Sequence, residues 1–403
     1  MQHHGACGDG LPRCRPPPAT VRGDRDRRSG RRPALADRGS GGFVRQLIAG
    51  LGVTRDLDCD IAIDLGHHHP SAHGGFQLAL TVDGDTIVAA EPRIGFLHRS
   101  AEKLFEARDY RQILMLANRH DWLSAFSSEL TVALAVEEAT GITAPERAIW
   151  LRMILAEANR IAAHLLMLSY VDPSLLRLRE DWARWQERAT GGRVHPMITR
   201  IGGLMSDIPK QTLTEAWDLA GRSRDAATRV LIPEHWETLA IVTEEAANAG
   251  ASGPVGWASG VTDDLRRDEP YLRYRGIDIR VITGQGSAAD RYRMLVAQIQ
   301  MSAQLIDVCI RACADSSGEP VNVPLPKTLR VPEGITYLAT ENPFGHHGVL
   351  LVSSGDKVPW RMKLRTPSFT HVQLLSHALP GTSLGDLADA VASFFLVSGD
   401  IDR

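Results

Sequence analysis

Two long runs of apolar side chains at helical spacing constrain this chain more than any other feature. After Thr143-Ala144-Pro145-Glu146, which has the spacing of a capping box with proline in the first turn, Trp150, Ile154, Ile161, Leu165 and Leu168 recur on one face. From about Ala288 to Cys313, Tyr292, Leu295, Ile299, Leu305 and Ile306 do the same. Such stripes must be buried against other elements, so the sequence predicts a helical core with the first of these helices at its centre. Strands frame it. Alternation at Phe76, Leu78, Leu80 and Val82, a turn at Asp83-Gly84 and a return at Thr86-Ile87-Val88 predict a half-buried β-hairpin. Val349-Leu350-Leu351-Val352, the turn Ser353-Ser354-Gly355-Asp356 and Arg361-Met362-Lys363-Leu364 predict a second. The expected class is α+β, a mostly helical core with small sheets from the N- and C-terminal parts, and no internal repeat.

Residues 1–56 read as a disordered extension and linker. The first 42 hold nine arginines, five prolines and eight glycines with almost no large apolar side chains, so burial cannot offset the entropy of ordering them. No apolar stretch follows the charges, which excludes a secretory signal. Residues 57–403 read as one domain: a hairpin region at 57–98, a helical core at 99–320 and an α/β part at 321–403.

Composition excludes several classes. A net charge of -3 from 45 basic and 48 acidic residues supplies no bulk attraction to nucleic acid. Five scattered cysteines do not form a secreted disulfide framework and fit a reducing cytoplasm. Cys309 and Cys313 fall four apart on a predicted helix, but two thiols make a poor closed site, so no metal is assigned. Gly284-Gln285-Gly286 lacks the strand and helix context of a dinucleotide loop, so NADH binding by this chain is not expected. The longest nearly apolar run, Ile161 to Val171, is broken by His164 and falls short of the roughly 20 residues that span a bilayer. Work at a membrane would therefore need partner subunits to hold the chain there.

His67, His68, His69 and His73 crowd one glycine-bounded loop, Gly66 to Gly74. Spacing alone makes them solvated surface residues. Yet histidine, with an ordinary pKa of about 6.5, can give a proton near neutrality and recover it.

The loop resembles the glycine-x-x-histidine-proline-x-x-histidine-glycine segment of the D-type or 49-kDa subunit of NADH:quinone oxidoreductase (respiratory complex I), especially its actinobacterial type. Matches continue in family order at Gly95-Phe96-Leu97-His98-Arg99, Glu102-Lys103-Leu104, Asn118-Arg119-His120-Asp121-Trp122, Gly191-Gly192-Arg193-Val194-His195, Ser252-Gly253-Pro254, Asp264-Leu265-Arg266-Arg267-Asp268-Glu269-Pro270-Tyr271 and Gly399-Asp400-Ile401-Asp402-Arg403. The resemblance implies a nickel-iron hydrogenase large-subunit-like fold. It also implies a peripheral subunit on the cytoplasmic face of the cell membrane, catalytic only within the assembly and coupled there to ion translocation. It implies no cofactor on this chain, quinone as substrate, and an iron-sulphur cluster held by a neighbour. The expected partners in the complex are the iron-sulphur B-type subunit, the C-type subunit and the membrane-arm H-type subunit, with NADH oxidised elsewhere in the assembly.

By the same resemblance His73 is the catalytic residue binding one quinone carbonyl, His69 and Trp122 complete the quinone site, and Arg99 and His195 face the partner's cluster. His67 and His68 replace the family's proline and glutamine and keep the solvated reading. Trp122 stands where most of the family has tyrosine. Indole N–H can donate a hydrogen bond but cannot supply a proton at physiological pH, so the ring would only be positioned and the second proton would come from elsewhere. The tryptophan suggests a menaquinone-using branch. The interval from His164 to His195 is shorter than in the family and lacks its acidic residue, for which Asp172 is a candidate substitute. Two rivals remain: a hydrogenase large subunit, opposed by the missing Cys-x-x-Cys pairs, and a divergent paralogue that keeps docking surfaces but has lost quinone chemistry.

Overall fold

The computed structural model describes the backbone of residues 44–50 and 61–64, with the side chain of Leu47, and all of residues 76–403. The histidine loop, and with it His67, His68, His69 and His73, lies outside the described residues, as does the segment before residue 44. Within them the chain is α+β.

Strands β1 (Val44–Gly50), β2 (Ile61–Asp64), β3 (Gln77–Asp83) and β4 (Thr86–Arg93) form a sheet in the order β2-β1-β3-β4, with β1 and β2 parallel and the other pairs antiparallel. The expected hairpin is β3-β4. Its inward residues Leu78, Leu80, Val82 and Ile87 are buried, and Gly84 supplies the positive φ of the turn. Strand β1 corrects the linker reading of 1–56. The apolar residues of β1, Val44, Leu47, Ile48 and Ala49, do not alternate, so the strand shows no period of two by itself; it is placed by pairing with β3 while Leu47 enters the core.

Helices α1 (Ala101–Phe105), α2 (Ile113–Ala117) and α3 (Ala125–Thr140) lead to the central α4 (Glu146–Leu168). This helix is buried nearly all round, against α3, α5 (Leu175–Thr190), α6 (Lys210–Ala227) and α10 (Ala288–Asp315). Between α5 and α6 lie the two-residue strands β5 (Thr199–Arg200) and β6 (Gly203–Leu204). Between α6 and α10 lie α7 (Glu244–Ala249), α8 (Gly253–Ala258) and α9 (Leu265–Asp268). The capping box expected at Thr143 is not formed. Pro145 stays extended at ψ 153° and itself precedes the first helical residue, so Thr143 lies too far back to cap. A capping box does open α10, where Ser287 Oγ accepts from Asp290 N and the Asp290 carboxylate accepts from Ser287 N.

The C-terminal part begins with β7 (Gly334–Asn342), β8 (Gly345–Ser353) and β9 (Arg361–Arg365), an antiparallel sheet in that order. The hairpin expected from the sequence is β8-β9, and β7 extends it on the other edge. Val349, Leu351, Met362 and Leu364 pack with Val132 and Val136 of α3 in a second apolar cluster. Helices α11 (Pro367–Ala378), α12 (Leu387–Ala392) and α13 (Ser398–Ile401) complete the chain. Ile87 N donates to Thr382 O, and Gly381 N donates back to Ile87 O, which ties the outer edge of β4 to this part.

Charged side chains staple the elements around α4. Glu157 accepts from Tyr274 Oη (2.7 Å), Ser302 Oγ (2.6 Å), Arg160 Nε (3.2 Å) and Arg266 Nη1 (3.4 Å). Arg266 also forks onto Asp264 and reaches Gln298, while Arg160 donates to the carbonyls of Asn342 and Glu341. Two buried carboxylates thus balance two buried guanidinium groups. Burial alone would raise the Glu157 pKa, but Arg160 and Arg266 beside it, with the Ser302 and Tyr274 hydroxyls, hold it down at about 2.

Candidate functional site

The segment Asn118–Trp122 bends between α2 and α3. Asp121 Oδ1 accepts from Leu123 N (3.1 Å) and Ser124 N (2.9 Å), which turns the chain into α3 and leaves Oδ2 without a partner. Trp122 is thereby presented half-buried at a recess lined by Leu123, Asn159, Ala162, Trp182 and Arg193. Its ring lies close against the backbone at Gly399: a Cβ there would fall 2.2 Å from Trp122 Cζ3 and 2.4 Å from the His120 carbonyl oxygen. Only glycine fits that approach.

The other side of the same segment faces solvent. Arg99 Nη2 donates to Arg119 O (2.9 Å), and the Arg119 guanidinium reaches Met197 Sδ (3.6 Å). His195 lies against Asn118 and Arg119. Burial, then the Arg119 charge, lower its pKa, against the backbone of Asn118. The structure therefore brings Arg99 and His195, far apart in sequence, to one corner. Exposed Ile94, Phe96 and Leu97 flank Arg99.

Two residues without a role in the sequence reading hold this corner in place. Buried Glu129 on α3 accepts from Asn118 Nδ2 (2.5 Å), Met197 N (2.8 Å) and Thr199 N (3.4 Å), tying the His195 segment to the Arg119 turn. Asp402 accepts from Gly95 N and Leu97 N, each at 2.7 Å, and His98 Nδ1 bonds Arg403 O at 2.8 Å, so the terminal segment clamps the Gly95–Arg99 turn. The terminal match of Gly399 to Arg403 carried that signal without its mechanism.

Four buried titratable side chains come together beside this turn: His120, Asp121, His347 of β8 and Asp400 of α13. His120 Nε2 and His347 Nε2 are 3.0 Å apart, and His120 Nε2 lies 3.8 Å from Asp400 Oδ1.

Asp172 accepts from Ser174 N in a turn after α4, and His164 Nε2 bonds Pro343 O at 2.7 Å. Cys309 and Cys313 are buried free thiols; burial pushes Cys309 well above the ordinary thiol range and Cys313 to about 11. Among the described residues no group of three or more His, Cys, Asp or Glu side chains is placed to hold a metal ion, and no helix is long and apolar enough to cross a membrane.

Comparisons with known proteins agree on one family. Residues 173–329 and 321–403 match the family described as "Respiratory-chain NADH dehydrogenase, 49 Kd subunit". The chain is 45% identical over 380 residues to a protein of Salinispora tropica named as the second D-type subunit of NADH-quinone oxidoreductase, covering 89% of this chain and 98% of that one. It is 42% identical over 397 residues to the protein of the same name in Streptomyces griseus, covering 91% and 99%. With the D-type subunit of NADH-quinone oxidoreductase of Carboxydothermus hydrogenoformans it shares 34% over 362 residues, covering 85% and 98%. Matched along most of its length, the chain belongs to the 49-kDa family of respiratory-chain NADH dehydrogenase, that of the D-type subunits of NADH-quinone oxidoreductase.

Proposed function

We propose that this chain forms one wall of the quinone chamber of its complex, where electrons from a neighbour's terminal iron-sulphur cluster reach quinone, coupled to ion translocation by the whole assembly. The observation that carries this reading is the two-sidedness of Asn118–Trp122. One side presents Arg99, Arg119 and His195 beside exposed apolar residues, a surface suited to a partner that carries a redox centre. The other presents Trp122 at a recess. A cation and an imidazole beside a cluster raise its potential, and a titrating imidazole links that potential to pH. The fold is that of a hydrogenase large subunit, and the neighbours are the B-, C- and H-type subunits at the cytoplasmic face of the membrane. Among the motif residues, His73 and His69 bind the headgroup with Trp122, which positions the ring of a menaquinone. NADH is oxidised by other subunits and this chain holds no cofactor.

The test is His73→Ala in the assembled complex. Quinone reductase activity is expected to fall about tenfold or more, while NADH oxidation by an artificial acceptor stays intact, because the histidine acts only at the quinone end. His68→Ala, in the same loop, should do little. Near-normal quinone activity in His73→Ala would overturn the assignment.

A further inference from the structure

Quinone reduction consumes two protons, and an indole cannot release one near neutrality. If Trp122 takes the place of a hydroxyl, a donor must stand nearby. The structure places a candidate next to the tryptophan along the chain: His120 and Asp121 precede it, and Gly399, packed against its ring, precedes Asp400.

His120, Asp121, His347 and Asp400 are each at most 2% exposed. The two imidazole rings lie 17° from parallel and meet edge to edge, with their Nε2 atoms 3.0 Å apart. That contact is a hydrogen bond only when one nitrogen carries the proton and the other does not, so the pair is built around one hydrogen. Asp400 Oδ2 accepts from Ser368 N (3.0 Å), but Oδ1 has no hydrogen-bond partner and faces His120 Nε2. Asp121 Oδ2, on the residue preceding Trp122, is also unpartnered. Bare carboxylate oxygens in a buried place are costly, and protonation relieves the cost.

The surroundings agree. The charged groups facing the set are Arg403 and Arg99. Burial, with His347, Arg403 and Arg99 adding, keeps His120 well below its ordinary range, and burial followed by Arg403 takes His347 down to about 3. Burial, with Asp121 next to it, holds Asp400 far above the carboxylate range, against Ser368 and Arg403; burial lifts Asp121 to about 6. These directions disfavour charge on both imidazoles and favour one proton held between the two carboxyls.

We propose that His120, His347, Asp400 and Asp121 form a proton store beside Trp122, holding one exchangeable proton that is released to the quinone during its reduction. The inference rests on the reading of Trp122 as a wall of the quinone site. In the step, the two electrons come from the partner's cluster. One carboxyl O–H bond in the Asp400–Asp121 pair breaks and one O–H bond forms on one quinone oxygen; the other oxygen takes the second proton from His73 of the proposed site, and both donors are reprotonated from water after quinol leaves. His347 shares a hydrogen with His120 Nε2 and so fixes the ring that faces the bare Oδ1 of Asp400; the two imidazoles act through that carboxyl and are positioning residues.

The test uses the assembled complex in membranes. Infrared difference spectra, quinone-reduced minus oxidised, should contain the stretch of a buried protonated carboxyl, absent in Asp400→Asn. Quinone turnover in Asp400→Asn should fall about tenfold or more, with the Michaelis constant for quinone changed by less than about twofold and artificial-acceptor activity kept. If Asp400→Asn does not assemble, His347→Gln, which keeps polarity and volume but removes the imidazole that fixes His120 against Asp400, should show the same turnover loss and a shifted band. A missing band, or turnover kept in both variants, overturns the store while a loss of activity in His73→Ala leaves the site standing. Normal quinone activity in His73→Ala overturns both.

Discussion

Replacing Glu157 by glutamine tests the charge balance around α4. The substitution keeps an oxygen for Tyr274 Oη and Ser302 Oγ but leaves Arg160 and Arg266 facing Asp264 alone, one uncompensated positive charge in the core. The descent of the Glu157 pKa from 4.5 to about 2 corresponds to about 3 kcal/mol of stabilisation of the charged form. Removing one member of a buried ion pair typically costs about 3–5 kcal/mol, which agrees. Because the folded pKa is depressed, this stability is fully present above pH 4.5 and is lost as pH falls towards 2. The assay is amide hydrogen exchange in the assembled complex. Protection of α4 and α10 amides that exchange through opening of the core should fall about a hundredfold at neutral pH, and the gap to wild type should narrow below about pH 4. Protection within about threefold of wild type at pH 7 would refute the charge argument.

Other outcomes follow from the site. His195→Met should flatten the pH dependence of the partner cluster's midpoint potential, read by electron paramagnetic resonance at several pH values; an unchanged slope returns His195 to an ordinary loop residue. Trp122→Phe should mainly raise the Michaelis constant for quinone, whereas Trp122→Tyr should keep or raise turnover, since tyrosine restores a titratable donor. Lost assembly with unchanged kinetics in what survives would make Trp122 purely structural. Gly399→Ala should displace the Trp122 ring at a cost of about 1–3 kcal/mol in stability and raise the same Michaelis constant, and Trp122→Phe in the same chain should restore part of the lost stability. Additive effects of the two would show that they do not touch.

How much of this is readable in the sequence depends on the range of each interaction. The hairpin β3-β4 and the helices α4 and α10 announce themselves because their apolar periods are local and clean. Strand β7 does not, because its first half is exposed or partly buried while Thr340, Glu341 and Asn342 at its far end are buried polar groups, the inverse of an alternating strand. Helix α4 likewise conceals its full burial, since Arg147, Arg152, Glu157 and Arg160 are charged yet inside. At the site, Arg99, Trp122 and His195 stand out by family resemblance. Their meeting at one turn depends on Glu129 bonds spanning up to 70 residues, which no window of sequence contains. The His120–His347 contact bridges 227 residues and leaves no local trace.

The stitching of β4 to residues 381–384 has a further consequence. A sheet edge with free amides and carbonyls is a template for unwanted strands, and β4 is an outer strand of its sheet. Here Ile87 N and O are both taken by Thr382 and Gly381, Thr86 bridges Ser383, and Leu384 N is spent on Asp85 O. A neighbouring chain that sought to extend the sheet at this stretch would find no backbone partner open. Packed against other subunits in a crowded assembly, the protein can thus bring its β4 hairpin close to them without inviting β-augmentation there. Contact through this region is left to side chains, which can be chosen for one partner and against others.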